Sequence, residues 1–394
     1  MSTVDGFPRE LLTQPTAMRL AYFTDKVVAH PRLKEVHEAL LAAIHRPTET
    51  SLILVCGPTG VGKTTLRRRI EKQLIDEAWP AVEENPGRVP VVAIEAVAPE
   101  SGQFNWKDYY TRALQALDEP LIKDKIDYDT RRLHDARIGR LLADRGAAGP
   151  ALRRALEQVL CHRCVGTFIV DEAQHLTRTA SGRRLLDQMD TLKSLAGLTG
   201  TVHVLVGTYE LLGLANLSAQ LSRRSREIHF GRYRAERPED LRAFQSVLLT
   251  FQCHLPLTHE PDLVARSDYL YERSVGCIGV LKSWLNRAFA AALDEGATTL
   301  HDRHLEQHAE PARKLLSLAR EITEGEAALR DNGAERGELR RLLGLAPEPT
   351  APTAAKARAG ETAARRSAGR VGRRQPTRDP VGAPVDVSAA VVSG

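Results

Sequence analysis

The residues with the clearest chemical meaning in this 394-residue chain are 57–64, GPTGVGKT, which match the spacing G-x-x-x-x-G-K-[ST] in full. Glycines at these positions let a loop wrap closely around a polyphosphate, which then meets backbone N–H groups and the N-terminus of the following helix. Lys63 supplies a positive charge to the outer phosphates, and Thr64 supplies a hydroxyl ligand for Mg²⁺. The predicted nucleotide-binding residues are therefore Gly57, Pro58, Thr59, Gly60, Val61, Gly62, Lys63, Thr64 and Thr65.

An acidic pair, Asp171 and Glu172, follows the apolar run 167–170. An apolar strand that ends in carboxylates places them at the carboxyl edge of a parallel sheet, where ligands bind in such folds. We predict that Asp171 holds Mg²⁺ through its water shell and that Glu172 polarises the attacking water. The sequence contains no N-K-x-D guanine signature, which favours ATP as the nucleotide.

Two further groups are predicted to act on a bound nucleotide, one within the subunit and one between subunits. Thr208 follows the apolar run 204–207 and is expected to contact the γ-phosphate or the water, the role called sensor 1, with a helix N-cap as the alternative. The segment 221–226 carries three arginines, and arginines there commonly reach the nucleotide of a neighbouring subunit. An arginine that acts in this way is called an arginine finger, and Arg223 and Arg224 are better candidates than Arg226. The alternative is that these arginines form a solvated basic helix end.

The elements that must position these residues alternate between apolar runs and helical patterns. Strands are predicted at 51–57, 89–97, 165–173, 201–209 and 227–233. This alternation predicts an α/β fold with a parallel five-stranded sheet and helices on both faces. Helical periodicity then dominates 238–252, 262–273, 278–294 and 301–308, which predicts a small all-α lid domain.

The predicted organisation has five parts: an N-terminal helical segment (1–50), an α/β core (51–236), the α-helical lid (237–310), a charged helical segment (311–344) and a basic tail (345–394). The tail is rich in Ala, Pro, Gly and Arg and has almost no large apolar residues. Such a segment buries too little surface to offset its chain entropy, so it is expected to be disordered.

Charge identifies a candidate surface for nucleic acid. The chain carries a net charge of +5, but most of it lies in the tail, so the overall charge says little about partners. A local excess of positive charge lies in residues 131–154, which contain seven arginines and two aspartates. Phosphate contacts with duplex DNA are predicted there, and a solvated helical face is the alternative. The candidate residues are Arg131, Arg132, Arg137 and Arg140.

Composition excludes several classes of protein. With 42% hydrophobic and 27% charged residues, the chain is neither collagen-like nor disordered throughout. No run approaches the roughly 18 apolar residues of a membrane helix, and no secretion signal begins the chain, so we expect a cytoplasmic protein without a membrane partner. Five cysteines indicate free thiols. Cys161 and Cys164 lack a second pair at finger spacing, which favours a buried helix end over a zinc site.

The motifs and their order over roughly residues 18–295 resemble the AAA+ ATPases and, among them, the TniB/TnsC transposition regulators. The similarity rests on the helix that begins at His30-Pro31, GPTGVGKTT, FIVDEAQHL (168–176), VLVGTYEL (204–211) and LSRRSREIHF (221–230). The resemblance implies an AAA+ P-loop fold and an ATP- and Mg²⁺-dependent ATPase. It also implies a homo-oligomeric ring or filament that assembles on duplex DNA, disassembles on hydrolysis, and engages a transposase and a target-selection adaptor.

The alternatives to this function are a signalling or defence ATPase of the STAND type and a helicase loader. One departure from the family pattern concerns the lid. Many AAA+ lids carry a basic residue in a G-x-x-R pattern that senses the nucleotide, whereas this sequence has Gly276-Cys-Ile-Gly279. Either Lys282, almost one helical turn later, takes that role or this sensor is missing.

Overall fold

The structure is a computed structural model, and it describes residues 6–47, 51–99, 104–124, 149–177, 183–215, 225–330 and 333–345. The chain divides into two compact units, Met1–Asp331 and Asn332–Gly394. The first contains the sheet and the helices around it. In the second, the described residues form one helix.

A parallel sheet of five strands organises the first unit, in the order β2-β3-β4-β1-β5. The strands are β1 (Leu52–Cys56), β2 (Val91–Glu95), β3 (Thr167–Asp171), β4 (Val202–Gly207) and β5 (Ser225–His229). Cys56 lies opposite both Gly207 and His229, and Glu95 lies opposite Asp171. The register therefore aligns the carboxyl ends of the strands along one edge of the sheet.

Helices cover both faces of this sheet. The helices that precede β1 or lie between the strands are α1 (Thr16–Asp25), α2 (Pro31–His45), α3 (Lys63–Glu84), α4 (Trp106–Ala116), α5 (Gly149–His162), α6 (Arg183–Thr199) and α7 (Leu212–Ala215). One apolar cluster joins α2 and α3 to Ile53 and Val55, and another joins α4, α5 and α6 to Leu54 and Phe168. Strand β1 is buried along its whole length, as burial on both faces requires. The predicted parallel five-stranded sheet with flanking helices is confirmed.

The helical part that follows β5 has its own core. Its helices are α8 (Pro238–His254), α9 (Ser267–Ser274), α10 (Ile278–Asp294), α11 (Asp302–His308) and α12 (Ala312–Ala328), while α13 (Gly333–Leu342) lies in the second unit. Phe23 of α1 is fully buried in this core, with its ring edge-on to Phe251 and Phe289 at centroid distances of 6.0 and 5.4 Å. The N-terminal helix α1 therefore packs with α8 and α10.

The fifth strand differs from its predicted position at 227–233, since β5 ends at His229. Phe230 donates its N–H to the carbonyl of Cys56 (2.8 Å), and Tyr233 donates to the carbonyl of Gly276 (3.1 Å). The apolar residues after His229 are therefore used to join the sheet to the helical part. None of the helices in the described ranges is long and apolar enough to span a membrane.

Candidate nucleotide-binding site

The glycine-rich loop starts where β1 ends. The N–H of Gly57 donates to the carbonyl of Gly207 at 3.3 Å, and a Cβ on Gly57 would lie 2.2 Å from the carbonyl oxygen of Phe230. Gly62, directly before α3, has φ +111°, a left-handed conformation that side chains disfavour. Two glycines of the motif are therefore required by close approach and by backbone conformation.

Lys63 is held inside this loop. Its Nζ donates to the carbonyls of Gly57 (3.0 Å) and Pro58 (2.9 Å), and the residue is only 8% exposed. Burial lowers the pKa of Lys63, and the carboxylates of Glu172 and Asp171 act in the opposite direction. The ammonium group is thus fixed where the loop would surround a polyphosphate.

Thr64 and Asp171 meet across the site. The Thr64 hydroxyl donates to Oδ2 of Asp171 at 3.2 Å. A hydroxyl and a carboxylate are the hard oxygen donors that Mg²⁺ prefers, so the two residues fit a magnesium ion. Their proximity agrees with the sequence prediction that both are metal ligands, and that role stays a prediction.

Arg67 also lies in the site, although it was not predicted from the sequence. Its Nε donates to the same Asp171 oxygen at 3.1 Å, and its NH1 reaches both oxygens of Glu71 at 2.9 and 3.0 Å. Residues three apart on a helix share a face, so the position of Thr64 on α3 could have indicated Arg67. Its guanidinium lies where a cation bound to Asp171 would meet a positive charge.

Glu172 sits in a strained backbone position directly after β3. Its φ of +51° is left-handed, and its N–H donates to Oδ1 of Asp171 at 3.0 Å. Its carboxylate accepts a hydrogen bond from Nε2 of Gln174, whose Oε1 accepts from the N–H of Thr208 at 3.2 Å. Strain of this kind concentrates at functional sites. Gln174 was not predicted from sequence, because its second partner, Thr208, is 34 residues away and follows a different strand.

Thr208 lies beside these residues, at the end of β4. It is 7% exposed, and within the described ranges its hydroxyl has no hydrogen-bond partner and caps no helix. An unpaired buried hydroxyl costs free energy, so it fits a polar ligand better than the alternative N-cap. Its sensor role stays a prediction.

The lid helix α10 rests on the loop. The N–H of Val280 donates to the carbonyl of Gly60 at 3.2 Å, and a Cβ on Gly279 would lie 2.5 Å from that oxygen. Backbone contact therefore excludes a side chain where the family pattern has arginine. Lys282 donates instead to the carbonyl of Phe23 and lies 3.3 Å from the centroid of its ring. The contacts of Lys282 are thus with α1, away from the loop.

The last helix of the first unit, α12, also lies near the ends of the strands. A Cβ on Gly325 would lie 2.1 Å from the ring of Tyr209, and Leu329 packs against Cys56 and Tyr209. Buried Glu326 lies 3.2 Å from Nε of Arg232 and 3.3 Å from NH2 of Arg234. From the sequence, this stretch was predicted only to be a charged helix.

Several predicted residues lie outside the described ranges. Among them are the two preferred arginine fingers and the DNA-binding candidates: Arg223, Arg224, Arg131, Arg132, Arg137 and Arg140. The basic tail lies outside them as well. These assignments therefore stay predictions. Arg226 is described, and it is an exposed residue of β5 opposite Ile53.

The cysteine pair differs from expectation. A helix does end there, since α5 ends at His162, but the thiols of Cys161 and Cys164 are exposed rather than buried. Cys164 has φ +51°, in a turn that leads into β3. Within the described part of the chain no three His, Cys, Asp or Glu side chains are grouped to hold a metal ion. The described residues thus give no support to a zinc site.

The sheet, its helices and the glycine-rich loop together define an AAA+ P-loop fold. Residues 45–214 match the family model of the AAA domain. The ADP form of the Aeropyrum pernix ORC2 protein has a similar fold, with a TM-score of 0.50 and 16% identity over 72% of this chain and 70% of that chain. This similarity supports the fold, and the residues that match the AAA domain contain the glycine-rich loop.

Two other solved structures are similar at lower TM-scores. The Walker-type ATPase PABY2304 of Pyrococcus abyssi gives 0.41 at 18% identity, over 78% of this chain and 75% of that one. Drosophila ORC bound to DNA gives 0.46 at 12% identity, over 84% of this chain and 83% of that one. No curated protein matches the chain.

Proposed function

We propose that this chain is a Mg²⁺-dependent ATPase that assembles on duplex DNA when ATP is bound and regulates DNA transposition. The observation that carries the ATPase part is the meeting of Lys63, Thr64, Asp171, Glu172 and Thr208 at the carboxyl edge of one parallel sheet. Three of these side chains carry charge and two carry hydroxyls. Such a set suits phosphoryl transfer, in which catalysis depends on positioning and electrostatics.

Each residue has a distinct task in this proposal. Bound ATP with Mg²⁺ supplies the phosphoryl group and the charge that polarises it. Lys63 neutralises phosphate charge, and Thr64 with Asp171 holds the metal ion. Glu172 orients the attacking water and takes its proton. The unpaired hydroxyl of Thr208 offers the γ-phosphate or the water a hydrogen bond.

The proposed assembly depends on residues that act between subunits and on DNA. Arg223 or Arg224 from one subunit completes the site of the next by stabilising charge on the transferred phosphate. Arg131, Arg132, Arg137 and Arg140 bind DNA phosphates, so affinity falls as salt rises. The order of the motifs and its resemblance to TniB/TnsC regulators support this part. A transposase and a target-selection adaptor are the proposed partners, in the cytoplasm, and hydrolysis releases the assembly.

The test measures duplex-DNA binding and particle formation by electron microscopy with a nonhydrolysable ATP analogue, with ADP and without nucleotide. Assembly is expected with the analogue only. Lys63→Ala should fail to assemble, whereas Glu172→Gln should bind ATP, fail to hydrolyse it and remain on DNA. A chain that stays monomeric on DNA with the analogue would contradict the assembly. Pull-down of a replicative helicase instead of a transposase would favour the helicase-loader alternative.

A further inference from the structure

We propose that Gln174 is the positioning residue for Glu172 and ties this general base to the end of β4. The inference rests on the proposed ATP hydrolysis. Nε2 of Gln174 donates to Oε2 of Glu172, and its Oε1 accepts from the N–H of Thr208 at 3.2 Å. One side chain thus connects the residue that activates water to the residue proposed to sense the γ-phosphate.

The surroundings of the Gln174 side chain suit an amide group. Gln174 is 3% exposed, and a Cβ on Gly207 would lie 2.5 Å from its Oε1, so a glycine leaves room for the group. The position needs a donor toward a carboxylate and an acceptor for a backbone N–H at the same time, which a side-chain amide provides. Glutamate would present a second negative charge to Glu172, and methionine would leave both partners unpaired.

The two hydrogen bonds also define which way the amide points. Because the N–H of Thr208 can only donate, it orients the carbonyl of Gln174 toward itself and the NH₂ toward Glu172. One carboxylate oxygen of Glu172 is then held by Gln174, which leaves the other oxygen to accept a proton from water. Gln174 acts on the reaction through Glu172 and is not itself a catalytic residue.

The experiment compares steady-state ATP hydrolysis of wild type, Gln174→Met, Gln174→Asn and Glu172→Gln, with ATP-analogue binding measured by fluorescence. Methionine keeps the volume of glutamine and removes both hydrogen bonds, so kcat should fall about 10- to 100-fold, as expected for a misplaced catalytic group. KM and analogue affinity should stay within about twofold. Asparagine is one methylene shorter and should give an intermediate kcat. Gln73→Met, at a glutamine on α3 that bonds Glu77 (2.8 Å), is the matched control and should behave as wild type.

A double variant separates positioning from a structural effect. If Gln174 acts only through Glu172, adding Gln174→Met to Glu172→Gln should leave the residual single-turnover rate unchanged. The inference is overturned if Gln174→Met lowers that rate further in the double variant. It is also overturned if Gln174→Met keeps wild-type kcat while Glu172→Gln is inactive. Either result leaves the proposed ATPase intact. If wild type itself hydrolyses no ATP, both fail. Thermal melting checks that each variant is folded. If Gln174→Met does not fold, the kcat of Gln174→Asn is compared with that of wild type instead.

Discussion

Arg67 and Asp171 form an ion pair at the edge of the sheet, with 3.1 Å between Nε and Oδ2. Asp171 is the proposed magnesium ligand, so this cation competes with Mg²⁺ for one carboxylate oxygen. Arg67→Ala should therefore lower the Mg²⁺ concentration that half-saturates ATP hydrolysis, by about three- to tenfold for a charge at this distance in a partly solvated site. Arg68→Ala, an exposed arginine on the same helix, is the control and should leave it unchanged. A higher Mg²⁺ requirement in Arg67→Ala would show that Arg67 supports the metal site.

Glu326 of α12 is a buried carboxylate between two arginines, and its removal should destabilise the fold. Glu326→Ala leaves Arg232 and Arg234 without their shared partner in a region where both are mostly buried. Breaking a buried ion pair costs about 3–5 kcal/mol, so the free energy of unfolding in urea should fall by that order. Glu324→Ala, at an exposed position of the same helix, should change it by less than about 0.5 kcal/mol. Equal effects of the two variants would contradict a stabilising role for Glu326.

His203 should make the fold sensitive to acid. It is fully buried and stacked on Phe168, and burial lowers its pKa from 6.5 to about 4. The unfolded chain binds a proton at higher pH than the folded chain does, so the free energy of unfolding falls as pH falls from 6.5 to 4. The fall attributable to His203 is about 3 kcal/mol.

His203→Leu should reduce the slope of stability against pH in this window, as measured by urea unfolding at several pH values. Buried His30, whose pKa is also lowered to about 4, keeps part of the slope. His259→Leu, at an exposed position, is the control and should leave the slope as in wild type. An unchanged slope in His203→Leu would exclude His203 as a source of acid sensitivity.

Lys282 should matter for stability and not for nucleotide affinity. Burial lowers its pKa from 10.5 to about 7 beside Phe23. The unfolded chain keeps this proton up to higher pH, so Lys282 by itself contributes a rise in the free energy of unfolding between pH 7 and 10.5. Lys282→Met should remove this contribution, so that the free energy of unfolding in urea rises less, or falls more, with pH than in wild type, and it should keep wild-type ATP-analogue affinity. A large loss of affinity would instead identify Lys282 as the nucleotide sensor of the lid.

The sequence alone was sufficient to predict the features of this protein that depend on residues close together in the chain. The phosphate loop is one uninterrupted motif, so its residue types already carry the requirements of close backbone approach and left-handed conformation. The parallel five-stranded sheet followed from apolar runs alternating with helices. Thr64 and Asp171 could be paired across 107 residues because parallel strands bring their carboxyl ends to one edge.

Tertiary structure alone decided which distant side chains meet. Gln174 contacts Thr208 because β3 pairs with β4, and Lys282 turns to α1 because Phe23 packs into the helical core. Residue types on separate elements do not specify such contacts. They depend on how whole elements pack, since burial is non-directional and many side chains satisfy it equally well.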